Sequence, residues 1–293
     1  MFASSLITKI CSFLTSLILI RILSPDEFGV LSYVLSVLAF FIPFSGGGMQ
    51  HSYLRYAPML DDKKNSIGLF QHSLYRGFLF SFCIAFVLFL LIPWLSSAVG
   101  NTSIYFNWLI FYLFSSFLIE LVKMRYRVDD QNKKYAGIDV YLSVLVLFFG
   151  TGLAYFYGPV SYVIVFVTVP LVLGLVHLKV HLKVPEKVDV KIPEKYYSYG
   201  IWVGIGAIAS QLMYSLDIFL VGKLIQDSQQ VAIYRTASII PIALFFIPNS
   251  YITTHYTDLA KNSMDKEYLI RFAKDYIKLF FVLAFVLGTL LYF

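Results

Sequence analysis

Gln71-His72-Ser73-Leu74-Tyr75-Arg76-Gly77-Phe78-Leu79-Phe80-Ser81-Phe82-Cys83-Ile84-Ala85-Phe86-Val87-Leu88-Phe89-Leu90-Leu91-Ile92-Pro93-Trp94 decides the fold class. After Arg76 it runs to Trp94 without a charge. About 20 such residues in a helix cross the hydrocarbon core of a bilayer. Similar runs predict helices near residues 3–22, 28–52, 104–122, 138–156, 160–178, 199–222, 230–252 and 275–293. Of the 293 residues, 59% are hydrophobic and only 14% charged, and the mean hydropathy is +0.75. A soluble domain carries roughly 25% charge and needs a polar surface. The composition excludes a cytosolic enzyme, a disordered chain and a disulfide-built secreted domain. It predicts an all-α, polytopic membrane protein with nine spans.

The charges predict orientation. Of the 23 Lys and Arg, all but Arg21, Lys223 and Arg235 fall on one side of alternating helices. The loops at 96–107 and 155–159 carry none. Cytoplasmic loops are enriched in Lys and Arg, so the N-terminus is expected in the cytoplasm. Trp94, Tyr105, Trp108 and Tyr155–Tyr157 form an expected outer aromatic belt, with Tyr196, Tyr197 and Trp202 on the inner side. The net charge of +6 then points to anionic membrane lipid rather than nucleic acid. Cys11 and Cys83 lie in apolar runs and read as small hydrophobes. A first apolar run long enough to span, starting almost at Met1, reads as a retained helix and not a cleaved signal.

Phe40-Phe41-Ile42-Pro43-Phe44-Ser45 recurs as Phe245-Phe246-Ile247-Pro248-Asn249-Ser250. Each copy sits late in the second helix of a group, and an even number of helices separates them. That is the pattern of a parallel repeat of two lobes with a site between them. The expected division is a six-helix lobe at 1–178, a Lys/Pro-rich cytoplasmic linker at 179–198 and the start of a second lobe at 199–293. Lysines recur every fourth residue through that linker, but Pro185 and Pro193 favour an extended segment over a helix.

Enzyme signatures are missing. There is no Gly-x4-Gly-Lys-Ser/Thr loop, no Gly-x-Ser-x-Gly and no His-Glu-x-x-His. The reading is therefore not an enzyme and without a bound cofactor, any transport drawing on a proton or sodium gradient. His177 and His181 share a helical spacing but make an incomplete metal set, so no metal is expected. Charges at membrane depth carry more information, because each is costly there. Lys9 shares a helix face with Ser5, Ser12 and Ser16. Arg21 and Arg55 end the first two helices, and snorkelling is the alternative reading for Lys9, Arg21 and Arg55. Asp217 is short and lies within the seventh helix. An ion pair with Arg235 or Arg21, or a proton- or cation-carrying role, would account for it. Pro43 with Gly46, Gly47 and Gly48 predicts a helix break. Gly200, Gly204 and Gly206 predict close helix packing.

Leu19-Ile20-Arg21-Ile22-Leu23-Ser24-Pro25-Asp26-Glu27-Phe28-Gly29-Val30-Leu31-Ser32-Tyr33 resembles the start of bacterial polysaccharide flippases of the O-antigen and exopolysaccharide type. So do residues 211–225 and Val231–Ser238, and the similarity runs along the whole chain. These flippases belong to the multidrug/oligosaccharidyl-lipid/polysaccharide superfamily. The resemblance implies two lobes, usually of twelve or fourteen helices in all, around a central cavity. It implies movement of undecaprenyl-diphosphate-linked oligosaccharide between leaflets, alongside polysaccharide polymerase and chain-length machinery. Arg21, Arg55 and Asp217 match the family's charged positions, whereas Ile218 stands where a basic residue often follows the acid. The chain stops in the ninth helix, so by the family pattern most of the second lobe is missing. A drug or metabolite exporter of the same superfamily, a membrane-embedded enzyme of polysaccharide synthesis and an inactive truncated flippase stay open as alternatives.

Overall fold

A computed structural model describes residues 2–60, 62–100, 102–181, 191–244 and 265–292. Its helices are α1 (Phe2–Ile22), α2 (Pro25–Phe41), α3 (Met49–Tyr56), α4 (Lys63–Ser96), α5 (Ser103–Val128), α6 (Asn132–Leu145), α7 (Thr151–Tyr157), α8 (Pro159–His181), α9 (Tyr196–Ile225), α10 (Ser228–Leu244) and α11 (Lys266–Tyr292). No strand occurs among the described residues. Among the described residues, seven segments are long and apolar enough to cross a membrane: 3–22, 25–59, 64–96, 103–128, 132–157, 159–179 and 196–225. The chain is thus an all-α, multi-pass membrane protein. α10 and α11 occupy the positions of the eighth and ninth expected spans. The second copy of the Phe-Phe-Ile-Pro repeat, at 245–250, lies outside the described residues, as do residues 182–190 of the Lys/Pro linker.

Two compact units emerge, Ala3–Ala237 and Ser238–Phe293. In the second, Asp265 starts α11 by accepting from the backbone N–H groups of Glu267 (3.0 Å) and Tyr268 (3.1 Å). Charges fill the first half of α11, and Phe281, Val282 and Phe285 are exposed in the second.

The first unit is built around α5, which packs on α8, α4 and α3. The turn into α2 is set locally. Ser24 Oγ accepts from the Glu27 N–H and Glu27 Oε2 accepts from the Ser24 N–H at 3.0 Å, with Pro25 in the first turn. This reciprocal cap stabilises a helix start by about 1 kcal/mol.

The expected span at 28–52 is broken in the middle. Residues Ile42–Gly48 form a tight turn in which Ser45 is extended and Gly46, Gly47 and Gly48 have φ of 72°, 58° and 73°. Only glycine enters that region without penalty. The freed backbone is satisfied by protein: Gly46 N–H donates to Ser81 Oγ at 2.9 Å, and Ser45 Oγ lies 3.4 Å from Ser116 Oγ. A Cβ on Gly46 would fall 2.0 Å from the Phe117 ring. A Cβ on Gly48 would fall 2.0 Å from the Gly200 carbonyl oxygen of α9. Ser52 Oγ then donates to the Tyr196 carbonyl at 2.6 Å. So the break is the seat on which the start of α9 rests. Gly200 makes the close approach expected of it and Gly204 faces the Pro43 carbonyl. Gly206 does not, with nothing within 4 Å of a Cβ built there.

Several helices outrun their apolar cores. α4 starts at Lys63 rather than near 71, and α5 continues to Val128 rather than ending near 122. Lys123 and Arg125, which the sequence places in a basic loop, are therefore buried in the helix packing. Their partners explain how. Lys123 Nζ lies 2.7 Å from both Glu120 Oε1 and Asp139 Oδ1. Arg125 donates to Asp129 Oδ2 (3.0 Å), the Tyr53 hydroxyl (2.7 Å) and Ser66 Oγ (3.1 Å). Buried charges persist when paired in this way. Apolar periodicity stops at the first charge, whereas the helix continues because neighbours supply counter-charges.

At the opposite end, Lys223 of α9 donates to the Trp94 carbonyl at 2.7 Å and sits 4.1 Å from its ring centroid. Asp26 accepts from Ser228 Oγ at 2.6 Å and from Gln229 at 3.3 Å. α9 is thereby fastened at both ends. We expect Gly48→Ala to destabilise the protein by about 2–4 kcal/mol, combining left-handed backbone strain with overpacking against a carbonyl. Thermal unfolding in detergent checks it, with Gly206→Ala expected to be neutral or slightly stabilising.

A hydroxyl-lined cavity with one guanidinium

Within the first unit lies a partly open cavity of about 250 Å³. α1 contributes Ser12, Thr15, Ser16 and Leu19. α2 contributes Phe28, Leu31, Ser32, Leu35 and Ser36. α6 and the turn after it add Leu142, Ser143 and Val146. Tyr162 and Phe166 come from α8, Ser215 and Ile218 from α9, and Arg235 from α10. Arg235 is the only charged side chain among these lining residues.

Helical periodicity builds the polar walls. Ser12 and Ser16 are four apart on α1, and Ser32 and Ser36 four apart on α2, so each pair shares a face. Most of these hydroxyls spend their proton on their own helix. Ser12 donates to the Thr8 carbonyl (2.9 Å), Thr15 to Cys11 (2.8 Å), Ser16 to Ser12 (3.1 Å), Ser36 to Tyr33 (2.7 Å) and Ser143 to Asp139 (2.8 Å). A hydroxyl that donates backwards keeps its oxygen lone pairs for another group. The walls therefore offer acceptors, and Arg235 supplies a cationic donor fork.

One wall is irregular. The helix widens to a π turn at Val146–Gly150 between α6 and α7. Gly150 lets the Tyr162 ring approach within 3.0 Å of where a Cβ would sit. π turns recur at functional sites because they re-aim side chains from a continuous helix. Val146 and Tyr162, on either side of this contact, both line the cavity.

Arg235 and Asp217 belong to one neighbourhood. Asp217 Oδ2 accepts from the Tyr234 hydroxyl at 2.7 Å, and its other oxygen accepts from the Ile218 N–H at 2.8 Å. Its negative charge acts on Arg235, the next residue after Tyr234. Asp217 itself is exposed beside the cavity, whereas its neighbour Ile218 lines it.

The other sequence-derived candidates fall elsewhere. Lys9 is exposed on α1, one turn before Ser12; its stripe reaches the cavity through Ser12 and Ser16. Arg21 is exposed at the end of α1, beyond the lining residue Leu19. Arg55 ends α3, exposed, with its guanidinium carbon 4.4 Å from the Tyr199 ring centroid and 5.7 Å from that of Tyr56. Pro43, Gly46, Gly47 and Gly48 pack against α4, α5 and α9 and are not among the cavity-lining residues. His177 bonds to the Tyr126 hydroxyl through Nδ1 at 2.7 Å, and no group of three or more metal-ligating side chains occurs among the described residues. Tyr162, Thr15, Ser32, Ser36, Ser143 and Ser215 join the site only through the fold. The four-residue spacing of Ser32 and Ser36 was the available signal.

No curated protein and no solved structure matches the chain. A family match does exist, and it covers residues 18–293, from the end of α1 through the other helices of the cavity. With that extent of match, the chain belongs to the polysaccharide biosynthesis protein family.

Proposed function

We propose that this protein is a carrier that moves an undecaprenyl-diphosphate-linked oligosaccharide across the bacterial cell membrane, from the cytoplasmic to the outer leaflet. Membership of the family supports a role in polysaccharide synthesis or transport. The finer reading rests on one observation: a membrane cavity walled by hydroxyl acceptors with a single guanidinium.

A saccharide is rich in O–H donors, which the outward lone pairs of Ser12, Ser16, Ser36 and Ser143 can accept. A diphosphate is anionic, and its passage through a low-dielectric slab needs a cation. The Arg235 fork suits two phosphate oxygens. The lining offers no carboxylate or imidazole, which favours carriage over bond-making chemistry. Lys9 and Arg55 toward one end and Arg21 toward the other, exposed outside the cavity, are the proposed cations that would meet the anionic group before and after Arg235. The excess of Lys and Arg at the Lys9 end supports a cytoplasmic position for that end. Asp217, held by Tyr234 beside Arg235, is the proposed coupling carboxylate. Its protonation would change the charge balance at Arg235, and so the hold on the anion.

Two results test this. Binding of a fluorescent lipid-diphosphate oligosaccharide to nanodisc-embedded protein should weaken about tenfold or more in Arg235→Gln, the loss of a charge-assisted contact worth ~1.4 kcal/mol. Arg235→Lys should retain part of it, and unchanged binding in the Gln variant would refute the cavity assignment. Asp217→Asn should leave binding intact while removing the dependence of translocation on an imposed proton or sodium gradient. Persistence of that dependence would exclude Asp217 as the coupling group.

A further inference from the structure

A second site lies on the flank of the first unit, sharing no lining residue with the cavity. It is a groove of about 330 Å³ lined by Arg76, Leu79, Phe80 and Cys83 of α4 and by Tyr197 of α9. The four α4 residues fall at spacings of three, four and seven, so they form one stripe on one helix face. Arg76, Leu79 and Cys83 are exposed. His72, one turn before Arg76, lies 2.6 Å through Nε2 from the Tyr197 hydroxyl. The groove is thus polar at its His72 end and apolar towards Cys83.

Its depth is set by helix length. From Arg76 to the end of α4 at Ser96 is about 30 Å at 1.5 Å per residue, the thickness of a hydrocarbon core. The turns from Lys63 to Arg76 project beyond it. Arg76 therefore sits at the headgroup level of one leaflet, with Leu79, Phe80 and Cys83 leading into the hydrocarbon. This is the leaflet on the lysine-rich side of the protein. Among the described residues Arg76 makes no ion pair with a carboxylate.

We propose that this groove binds one anionic glycerophospholipid, its phosphate on the Arg76 guanidinium beside the His72–Tyr197 pair and one acyl chain along Leu79, Phe80 and Cys83. Replacing a bulk lipid tail with another gains little, because tails are as apolar as the groove. Selectivity comes from the head. A guanidinium takes the phosphate by its fork, and a net-negative headgroup adds attraction that choline's own cation cancels. The apolar stripe from Leu79 to Cys83 is only about one turn long, matching part of an acyl chain.

Cys83 reports occupancy directly, because Cys11 is buried and Cys83 is exposed in the groove. The experiment follows N-ethylmaleimide modification of Cys83 on the full chain in detergent micelles doped with phosphatidylglycerol or phosphatidylcholine. Phosphatidylglycerol should slow modification about fivefold relative to phosphatidylcholine, equivalent to ~1 kcal/mol for one basic side chain at an anionic lipid. Arg76→Gln should abolish the difference and Arg76→Lys should keep most of it. Equal protection by both lipids, or protection that survives Arg76→Gln, would overturn the proposal. So would stronger protection by a polyprenyl phosphate at the same mole fraction, which would assign the groove to the carrier lipid. None of these readouts depends on transport, so the result stands apart from the carrier reading.

Discussion

A backbone N–H or carbonyl has no water to turn to inside a bilayer, and each one left unpaired costs several kcal/mol. Everything else in this molecule depends on that constraint. It makes the described spans helical, apart from the turn in the second. It also decides where the helices can break. The turn at Ile42–Gly48 survives because α4, α5 and α9 close around it, with Ser81 capping Gly46 and the Gly200 carbonyl pressed against Gly48. The π turn at Val146–Gly150 keeps its hydrogen bonds inside one helix and packs against Tyr162. The two irregularities differ in consequence. The first builds a seat for α9. The second shapes a wall of the cavity.

Charge obeys the same constraint with larger penalties. Lys123 and Arg125 are buried and paired, Lys123 with two carboxylates and Arg125 with one carboxylate and two hydroxyls. They hold α3, α4, α5 and α6 together at the lysine-rich end. Arg235 differs because it faces a cavity. Asp217 offsets its charge from one side, while the lining provides hydroxyl oxygens rather than carboxylates. An arginine held near an acid but open to a polar void can exchange its electrostatic partner. In the proposed carrier, that property would set Arg235 apart from a structural ion pair such as Arg125–Asp129.

The fold class was legible because lipid demands long apolar runs, and the seven spans follow them. The break at Pro43 and Gly46–Gly48 was legible too, since a proline and three successive glycines have no other economical use in a span. Helix ends were not. Lys123, Arg125 and Lys63 interrupt the apolar signal, and only tertiary neighbours such as Asp139 and Tyr53 make continuation of α5 favourable. The site was half legible. Charges at depth stand out in an apolar chain, which drew attention to Lys9, Arg21, Arg55, Asp217 and Arg235. Which of them meets the cavity depends on helix rotation, and charge alone carries no information about that. The serine faces follow a spacing visible in α1 and α2, but serine is common in membrane helices as a packing residue. Only the fold distinguishes Ser36, at the void, from Ser116, against the break.

Carriage as proposed requires the cavity to be a wet, positively biased space within the membrane. Its most direct test is the reactivity of Ser36→Cys, in a background with both native cysteines replaced, toward membrane-impermeant thiol reagents of opposite charge. A wet cavity governed by Arg235 predicts modification of this otherwise buried position, faster with the anionic sulfonate reagent than with the cationic ammonium one, and a preference lost in Arg235→Gln. Failure of both reagents to reach the cysteine, or a preference indifferent to Arg235, would contradict it.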